Sequence, residues 1–234
     1  MAAVDTVIGM SVVIAGGHGR VALLVSRILA DRGESVLGII RRPEQADAVR
    51  AAGAQHLVSD LATATVEQLA QCLTGARAVL FAAGAGLGDA PGRPAPVDHD
   101  AIIAIADAAE RSGVRRFVML SAMGADPARN YPADPLVETF LRARGRADEN
   151  LLARETLETT VVRPAWFRDG PATGNVHLTA HTGPGEITRA DVAAVLAALL
   201  TAASTTPRVL ELTSGTTPIA EAVAPLVRSL PAAG

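Results

Sequence analysis

Lysine is absent from this chain, and all 21 of its basic residues are arginines. Schiff-base formation and proton transfer by a lysine amine are therefore excluded, because arginine stays protonated and does not act as a nucleophile. Tyrosine occurs once, as Tyr131, and cysteine occurs once, as Cys72. A single cysteine cannot form an internal disulfide, and we interpret Cys72 as a half-buried structural residue on a helix.

Strong net charge and long apolar runs are missing as well. The formal net charge is -3, which argues against a surface that coats nucleic acid or an anionic membrane. The sequence has no run of about 20 apolar residues and no basic leader followed by an apolar segment. We therefore expect a cytoplasmic protein with no nucleic-acid partner and no membrane partner. The oligomeric state is left open.

Patterns typical of metal sites are also absent. The sequence contains neither paired cysteines nor an HExxH segment. His177 and His181 have the spacing of a helical metal pair, but the surrounding NVHLTAHTGPG predicts extended and loop structure. We therefore expect no metal.

Short β-branched runs alternate with longer amphipathic segments along the chain, as is typical of a parallel sheet with helices on both faces. We predict strands at 11–15, 36–40, 56–59, 78–82, 116–120, 159–162 and 209–212, and helices at 21–29, 43–52, 65–73, 98–111, 136–154, 192–200 and 219–228. The fold class is α/β, a single doubly wound Rossmann domain spanning 10–234. Its substrate-side region after about Pro164 is small and reads as irregular. Residues 1–9 are either a disordered extension or an artefact of start-codon choice.

A glycine-rich turn joins the first predicted strand to the first helix in SVVIAGGHGRVA. Gly16 allows a sharp exit from the strand, Gly19 lets the backbone approach a pyrophosphate, and Ala22 allows close packing of the helix on the sheet. The helix N-terminus presents free N–H groups and a positive dipole to the phosphates. We predict that the cofactor is bound here by Gly16, Gly17, His18, Gly19, Arg20 and Val21, with solvated side chains as the alternative for His18 and Arg20.

The end of the second predicted strand distinguishes NADP from NAD. An acidic residue there would bind the ribose hydroxyls of NAD, whereas this chain has Arg41 and Arg42, whose guanidinium groups suit a 2′-phosphate. We therefore favour NADP(H) over NAD(H) as cofactor; the alternative is that both arginines are surface charges. Further candidate cofactor-binding residues follow the third and fourth strands, namely Asp60, Leu61, Ala82, Ala83 and Gly84.

Four segments carry a resemblance to a known family: GGHGRVA, SGVRRFVMLSAMGADP, VVRPAWF and ITRADVAAVL. Between about residues 11 and 217 the chain resembles the atypical short-chain dehydrogenase/reductases, specifically the short NAD(P)H-binding proteins related to NmrA-like regulators and flavin reductases. The resemblance implies a Rossmann sheet with strand order 3-2-1-4-5-6-7. It places Ser121 at the active-site serine, whose hydroxyl would bond a substrate carbonyl or else only satisfy the strand end. It also implies that Pro164, Ala165 and Trp166 line the nicotinamide pocket.

The chain departs from the family pattern in the long helix. Many relatives carry Tyr-x-x-x-Lys there, a proton donor and the lysine that lowers its pKa, and the matching positions here are Phe140 and Arg144. Phenylalanine has no proton to give, and the arginine is left as a ligand for the cofactor ribose. Tyr131 is a candidate replacement acid, with a lid residue as the alternative.

The resulting hypotheses belong to different classes. The favoured one is a reductase that passes hydride to a small-molecule acceptor such as a quinone or flavin. The alternative is a non-catalytic NADP(H)-binding sensor with a regulatory protein partner. A nucleotide-sugar epimerase or dehydratase is less favoured, because the region after Pro164 is small.

Overall fold

The computed structural model describes residues 11–84, 95–128, 134–202 and 208–227. Residues 1–9 and Tyr131, for which the sequence gives hypotheses, lie outside these ranges. The strands are β1 (Ser11–Ala15), β2 (Val36–Ile40), β3 (Gln55–Val58), β4 (Ala76–Phe81), β5 (Arg116–Leu120), β6 (Glu158–Pro164), β7 (Trp166–Arg168), β8 (Asn175–Thr179), β9 (Glu186–Thr188), β10 (Arg208–Ser214) and β11 (Thr217–Pro218). The helices are α1 (Arg20–Asp31), α2 (Ala46–Ala51), α3 (Val66–Leu73), α4 (Ala95–Arg111), α5 (Pro135–Leu152), α6 (Arg189–Thr201) and α7 (Ile219–Val223), and short 3-10 helices lie at Pro43–Gln45 and Ala224–Leu226.

The main sheet has the order β11-β8-β10-β6-β5-β4-β1-β2-β3. Its seven parallel strands follow the predicted order 3-2-1-4-5-6-7, with β10 as the seventh. The order differs in one detail, because β8 and β11 extend the edge beyond β10 in antiparallel pairing. The predicted doubly wound α/β fold is confirmed.

The segment after Pro164 is more regular than the sequence suggests. It contains β7, β8 and β9, and β7 pairs with β9 in a separate two-stranded parallel sheet. The prediction of irregular structure there was wrong. These strands are short, so their local periodicity is a weak signal. In addition, β8 pairs with β10, which lies about 30 residues further along the chain, and a pairing over that distance leaves no local pattern.

Alternate residues of β1 face opposite sides of the sheet, as the pleat requires. Val12 and Ile14 belong to the apolar cluster that packs against α1 and α6. Val13 and Ala15 belong to the cluster that packs against α3, α4 and α5. All four side chains are at most 1% exposed. The central strands are therefore buried on both faces, which leaves the ends of the strands as the place for a binding site.

Helix starts follow the signals in the sequence. Thr65, the N-cap residue of α3, accepts a hydrogen bond from the backbone N–H of Gln68 at 3.3 Å, and the Gln68 side chain accepts one from the backbone N–H of Thr65 at 2.9 Å. Asp134 caps α5 by accepting a hydrogen bond from the N–H of Leu136 at 2.8 Å. Within the described ranges, no helix is both long enough and apolar enough to span a membrane.

Candidate functional site

A cavity of about 480 Å³ lies at the carboxyl ends of β1 to β4. This is the edge at which parallel α/β sheets bind nucleotides. The predicted cofactor-binding residues that line it are Gly16, His18, Gly19, Arg20, Arg41, Arg42, Asp60, Leu61, Ala82, Ala83 and Gly84. Other residues line the cavity that were not predicted from the sequence, namely Ile39, Ile40, Gln45, Ser59, Phe81 and Ala101. The cavity therefore gathers residues from four strand ends.

The glycine turn forms the floor of this cavity. The backbone N–H groups of Gly16 and Gly17 donate to the carbonyl of Ile39 at 3.1 and 2.9 Å. Gly16 has a φ of +86°, and a Cβ there would lie 2.5 Å from the Cα of Ala83. Only glycine fits such a position without moving the backbone of the neighbouring strand end.

The N-terminus of α1 opens into the same cavity. Its N-cap residue, Gly19, has no side chain to accept hydrogen bonds from the first N–H groups, and the first turn contains no acidic residue. These uncapped donors and the positive end of the helix dipole fit a pyrophosphate. The residues present are therefore suited to hold a dinucleotide.

Two residues of the predicted turn lie elsewhere. Gly17 is buried against β2, where a Cβ would meet the Cα of Gly38 at 2.6 Å. Val21 is 7% exposed and packs into the apolar core. Gly17 thus allows the close approach of the turn to β2, and Val21 packs α1 on the sheet. The cavity wall is formed by the adjacent residues Gly16, His18, Gly19 and Arg20.

A network of charges connects the glycine turn with the segment after β7. The Arg20 guanidinium donates to Asp169 at 2.5 Å, and Arg189 donates to the same carboxylate oxygen at 2.9 Å. The hydrogen bond from Arg20, together with both positive charges, lowers the pKa of Asp169. Arg189 also stacks on the ring of Phe167, with 5.1 Å between guanidinium carbon and ring centroid. A phosphate bound at the glycine turn would therefore compete with Asp169 for Arg20.

Asp169→Asn is expected to strengthen NADPH binding by about two- to fivefold, because it removes a negative charge beside the glycine turn and exposed ion pairs of this kind are weak. The affinity is measured by titrating NADPH against both proteins. Asp31→Asn, which removes the same charge at the far end of α1, is the matched control and should leave the affinity unchanged. Weaker binding by Asp169→Asn would contradict the competition.

The candidate catalytic residue Ser121 lies just after β5 and does not line this cavity. Its hydroxyl donates to Oδ2 of Asp148 at 2.8 Å, and Arg163 donates to the same oxygen through Nε at 2.9 Å and Nη2 at 2.8 Å. Burial raises the pKa of Asp148, against the lowering effects of Arg163, Ser121 and Arg144. A serine has one proton. While Ser121 gives it to Asp148, it can accept from a substrate but cannot donate to a substrate carbonyl.

Arg144 lies against main-chain oxygens at the ends of β4 and β5. Its guanidinium donates to the carbonyl of Ala83 at 2.9 Å and to that of Leu120 at 3.4 Å. The Phe140 ring centroid is 5.3 Å from the guanidinium carbon and that of Phe81 is 6.0 Å away. The residue is 5% exposed. These contacts make Arg144 a link between two strand ends, a role that the motif alone does not reveal.

The predicted nicotinamide-side residues lie between the end of β6 and the start of β7, and none of them lines the cavity. Pro164 and Ala165 are buried, and the N–H of Ala165 donates to the carbonyl of Leu212 at 2.9 Å. Trp166 is 70% exposed.

Among the described residues, no group of three or more histidine, cysteine or acidic side chains is placed to hold a metal ion.

Comparison with known proteins identifies the family. The sequence profile of the NAD(P)H-binding family matches residues 16–203, and the chain belongs to this family. It is 32% identical over 215 residues to an uncharacterized sugar epimerase, YhfK, of Bacillus subtilis, over 92% of this chain and 99% of that protein. The predicted membership of an NAD(P)H-binding family is thereby confirmed, and the resemblance to the atypical short-chain dehydrogenase/reductases is consistent with it.

Solved structures agree. A putative NAD-dependent epimerase/dehydratase from Bacillus halodurans is 31% identical, with a TM-score of 0.81 over 93% of this chain and 100% of that one. The anaerobilin reductase ChuY from Escherichia coli O157:H7 is 21% identical, with a TM-score of 0.73 over 88% of this chain and 97% of that one. The second likeness shows a common fold only.

Proposed function

We propose that this NAD(P)H-binding protein is an NADPH-dependent reductase whose acceptor is a quinone, a flavin or a similar molecule that needs no proton from a side chain. The proposal is carried by a cavity suited to a dinucleotide and by the absence, among the described residues, of a phenolic acid at the helix position where the family pattern has one. Phe140 stands where the family pattern has tyrosine, and Ser121 gives its proton to Asp148. Neither of these two positions offers a proton to a carbonyl acceptor, whereas a quinone or flavin can take its proton from water.

The chain's own residues bind and orient the reactants in this mechanism. The turn at Gly16 and the N-terminus of α1 would hold the pyrophosphate. Because the Ser121 hydroxyl donates to Asp148, it could orient only an acceptor that has an N–H or O–H group to donate, such as a flavin. When bound, NADPH supplies the hydride. The acceptor takes up that hydride together with a proton from water and leaves as a hydroquinone or reduced flavin. Electrons and protons balance without a catalytic acid.

The activity test measures NADPH oxidation, by the loss of nicotinamide absorbance, across a panel of quinones, flavins and dyes. The proposal expects turnover with at least one acceptor and none with simple ketones or aldehydes. Turnover at background across the whole panel would overturn it.

The NADP preference is supported by Arg41 and Arg42, which are exposed and line the cavity at the end of β2. Charge-assisted hydrogen bonds to the 2′-phosphate contribute roughly 1.5–3 kcal/mol. Arg41→Ala with Arg42→Ala is therefore expected to weaken NADPH binding by about 10- to 150-fold and to leave NADH binding nearly unchanged. Arg50→Ala removes an arginine of α2 outside the cavity and serves as the control. Equal affinities of the unaltered protein for NADPH and NADH would contradict the preference.

A sensor is the second candidate. It is favoured because Ser121 and Arg144 already form hydrogen bonds within the chain, to Asp148 and Ala83. Such a protein would bind NADP(H), turn over no acceptor, and change its affinity for a regulatory partner when the nucleotide is added. Partner capture with and without NADP(H) tests this directly. An identical set of captured partners in both conditions would count against the sensor.

A further inference from the structure

Gln45 lies at the end of the 3-10 turn that follows β2 and lines the cavity together with Arg41 and Arg42. Its side-chain Oε1 accepts hydrogen bonds from the backbone N–H groups of both arginines, each at 3.0 Å. The N–H of Gln45 in turn donates to the carbonyl of Arg42 at 3.1 Å. The side chain is half-buried. Gln45 thus fixes the turn from which both guanidinium groups extend.

These two bonds determine how the Gln45 amide is oriented. A glutamine amide has one accepting atom and one donating group, and two N–H donors must face the accepting oxygen. The NH₂ group is therefore the part of the Gln45 side chain that remains to donate. The same bonds occupy the backbone N–H groups of Arg41 and Arg42, so these two groups are not available to an anion at this turn.

We propose that Gln45 is a specificity-determining residue that donates from its amide to the 2′-phosphate of NADP(H), and that its neutrality is required for this. The inference rests on the proposed NADP preference and adds a third contact beside the two arginines. A phosphate monoester carries between one and two negative charges at neutral pH. A neutral amide donor can bond such a group, whereas a carboxylate in the same place repels it.

Glutamate would otherwise suit this position well. A carboxylate accepts hydrogen bonds from the two backbone N–H groups at least as strongly as an amide, and glutamate is common at the third residue of a helical turn. Gln45→Glu therefore keeps the turn while it replaces the donor with a negative charge. This separates the role in anion recognition from the role in shaping the turn.

The experiment measures dissociation constants of NADP⁺ and NAD⁺ by calorimetry for the full chain and three variants. Gln45→Glu is expected to weaken NADP⁺ binding by at least about tenfold, with NAD⁺ binding within about twofold of the unaltered protein. Gln45→Met, which removes donor and cap without adding charge, is expected to weaken NADP⁺ binding by less. Glu44→Gln, the exposed neighbour outside the cavity lining, is the matched control and should change neither affinity by more than about twofold.

The outcomes separate this inference from the function on which it rests. Equal affinities of the unaltered protein for the two nucleotides would overturn the NADP preference and the role of Gln45 together. A preference that persists in Gln45→Glu would overturn the role of Gln45 alone. If Gln45→Met weakens NADP⁺ binding as much as Gln45→Glu, the charge argument is wrong. Thermal unfolding of each variant verifies that the fold is kept.

Discussion

Gly16→Ala is expected to abolish dinucleotide binding and to lower the free energy of unfolding by roughly 2–5 kcal/mol. The left-handed backbone, with φ at +86°, costs an alanine about 1–2 kcal/mol. The added Cβ would also lie 2.5 Å from the Cα and 2.6 Å from the N of Ala83. Backbone atoms of a strand end cannot move aside cheaply, so the turn must shift and the pyrophosphate site is lost.

Gly33→Ala provides a matched control for this prediction. Gly33 has a φ of +77°, close to that of Gly16, and a Cβ there would have no neighbour within 4 Å. The Gly33→Ala variant should therefore lose only about 1–2 kcal/mol of its free energy of unfolding, from the left-handed backbone alone, and should bind NADPH like the unaltered protein. Urea unfolding gives the stabilities, and NADPH titration gives the affinities. If Gly16→Ala and Gly33→Ala lose the same stability and bind NADPH with the same affinity, the contact with Ala83 contributes nothing to either property.

Asp148→Ala is expected to destabilise the fold by about 3 kcal/mol. The carboxylate is fully buried and accepts hydrogen bonds from Ser121 and from both donors of Arg163. Its removal leaves a buried hydroxyl and a guanidinium without their acceptor. The side chain of Arg163 is 21% exposed and can reach water in part, which keeps the loss at the lower end of the range for buried pairs.

A double-mutant cycle tests whether the pair is the source of the effect. Once Asp148 is gone, Arg163→Met should cost little more, because the unpaired cation is removed with it. The double variant is therefore expected to be more stable than the sum of the two single losses predicts. Additive losses in urea unfolding would mean that the two residues contribute independently.

The pH dependence of stability follows from the raised pKa of Asp148. Burial favours the protonated form, while the charges that face the carboxyl, Arg163 and Arg144, oppose this only in part. The folded protein therefore holds this proton more tightly than the unfolded chain, whose pKa is about 4. The stabilisation is complete below that value and is lost as the pH rises through the folded-state pKa.

Asp148→Asn cannot titrate and isolates this contribution. The difference in free energy of unfolding between the unaltered protein and Asp148→Asn should therefore be largest near pH 4 and shrink towards neutral pH. Urea unfolding at a series of pH values measures it. A difference that grows with pH would mean that the ion pair with Arg163 outweighs the burial of the carboxyl.

Local pattern was enough to place most of the core elements. The predicted bounds of β1, β2 and β5 agree with the structure, because each is a short apolar run ended by glycine, arginine or serine residues. The glycine turn could also be predicted, because its strand, turn and helix follow one another directly in the sequence and neighbouring residues determine their geometry. Alternation of these units predicted a parallel sheet, whereas the order of its strands was implied by the family resemblance.

Tertiary structure alone decided which side chains pair with one another around the site. Ser121 and Asp148 are 27 residues apart, and Arg20 and Asp169 are 149 apart. These contacts form because neighbouring strands bring distant loops to one edge of the sheet. The local hydrophobic periodicity of the sequence contains no information about such contacts. Gln45 was missed because its hydrogen bonds go to the backbone of Arg41 and Arg42, which a side-chain pattern does not reveal. Periodicity records burial along one element, whereas a site is formed where several elements end.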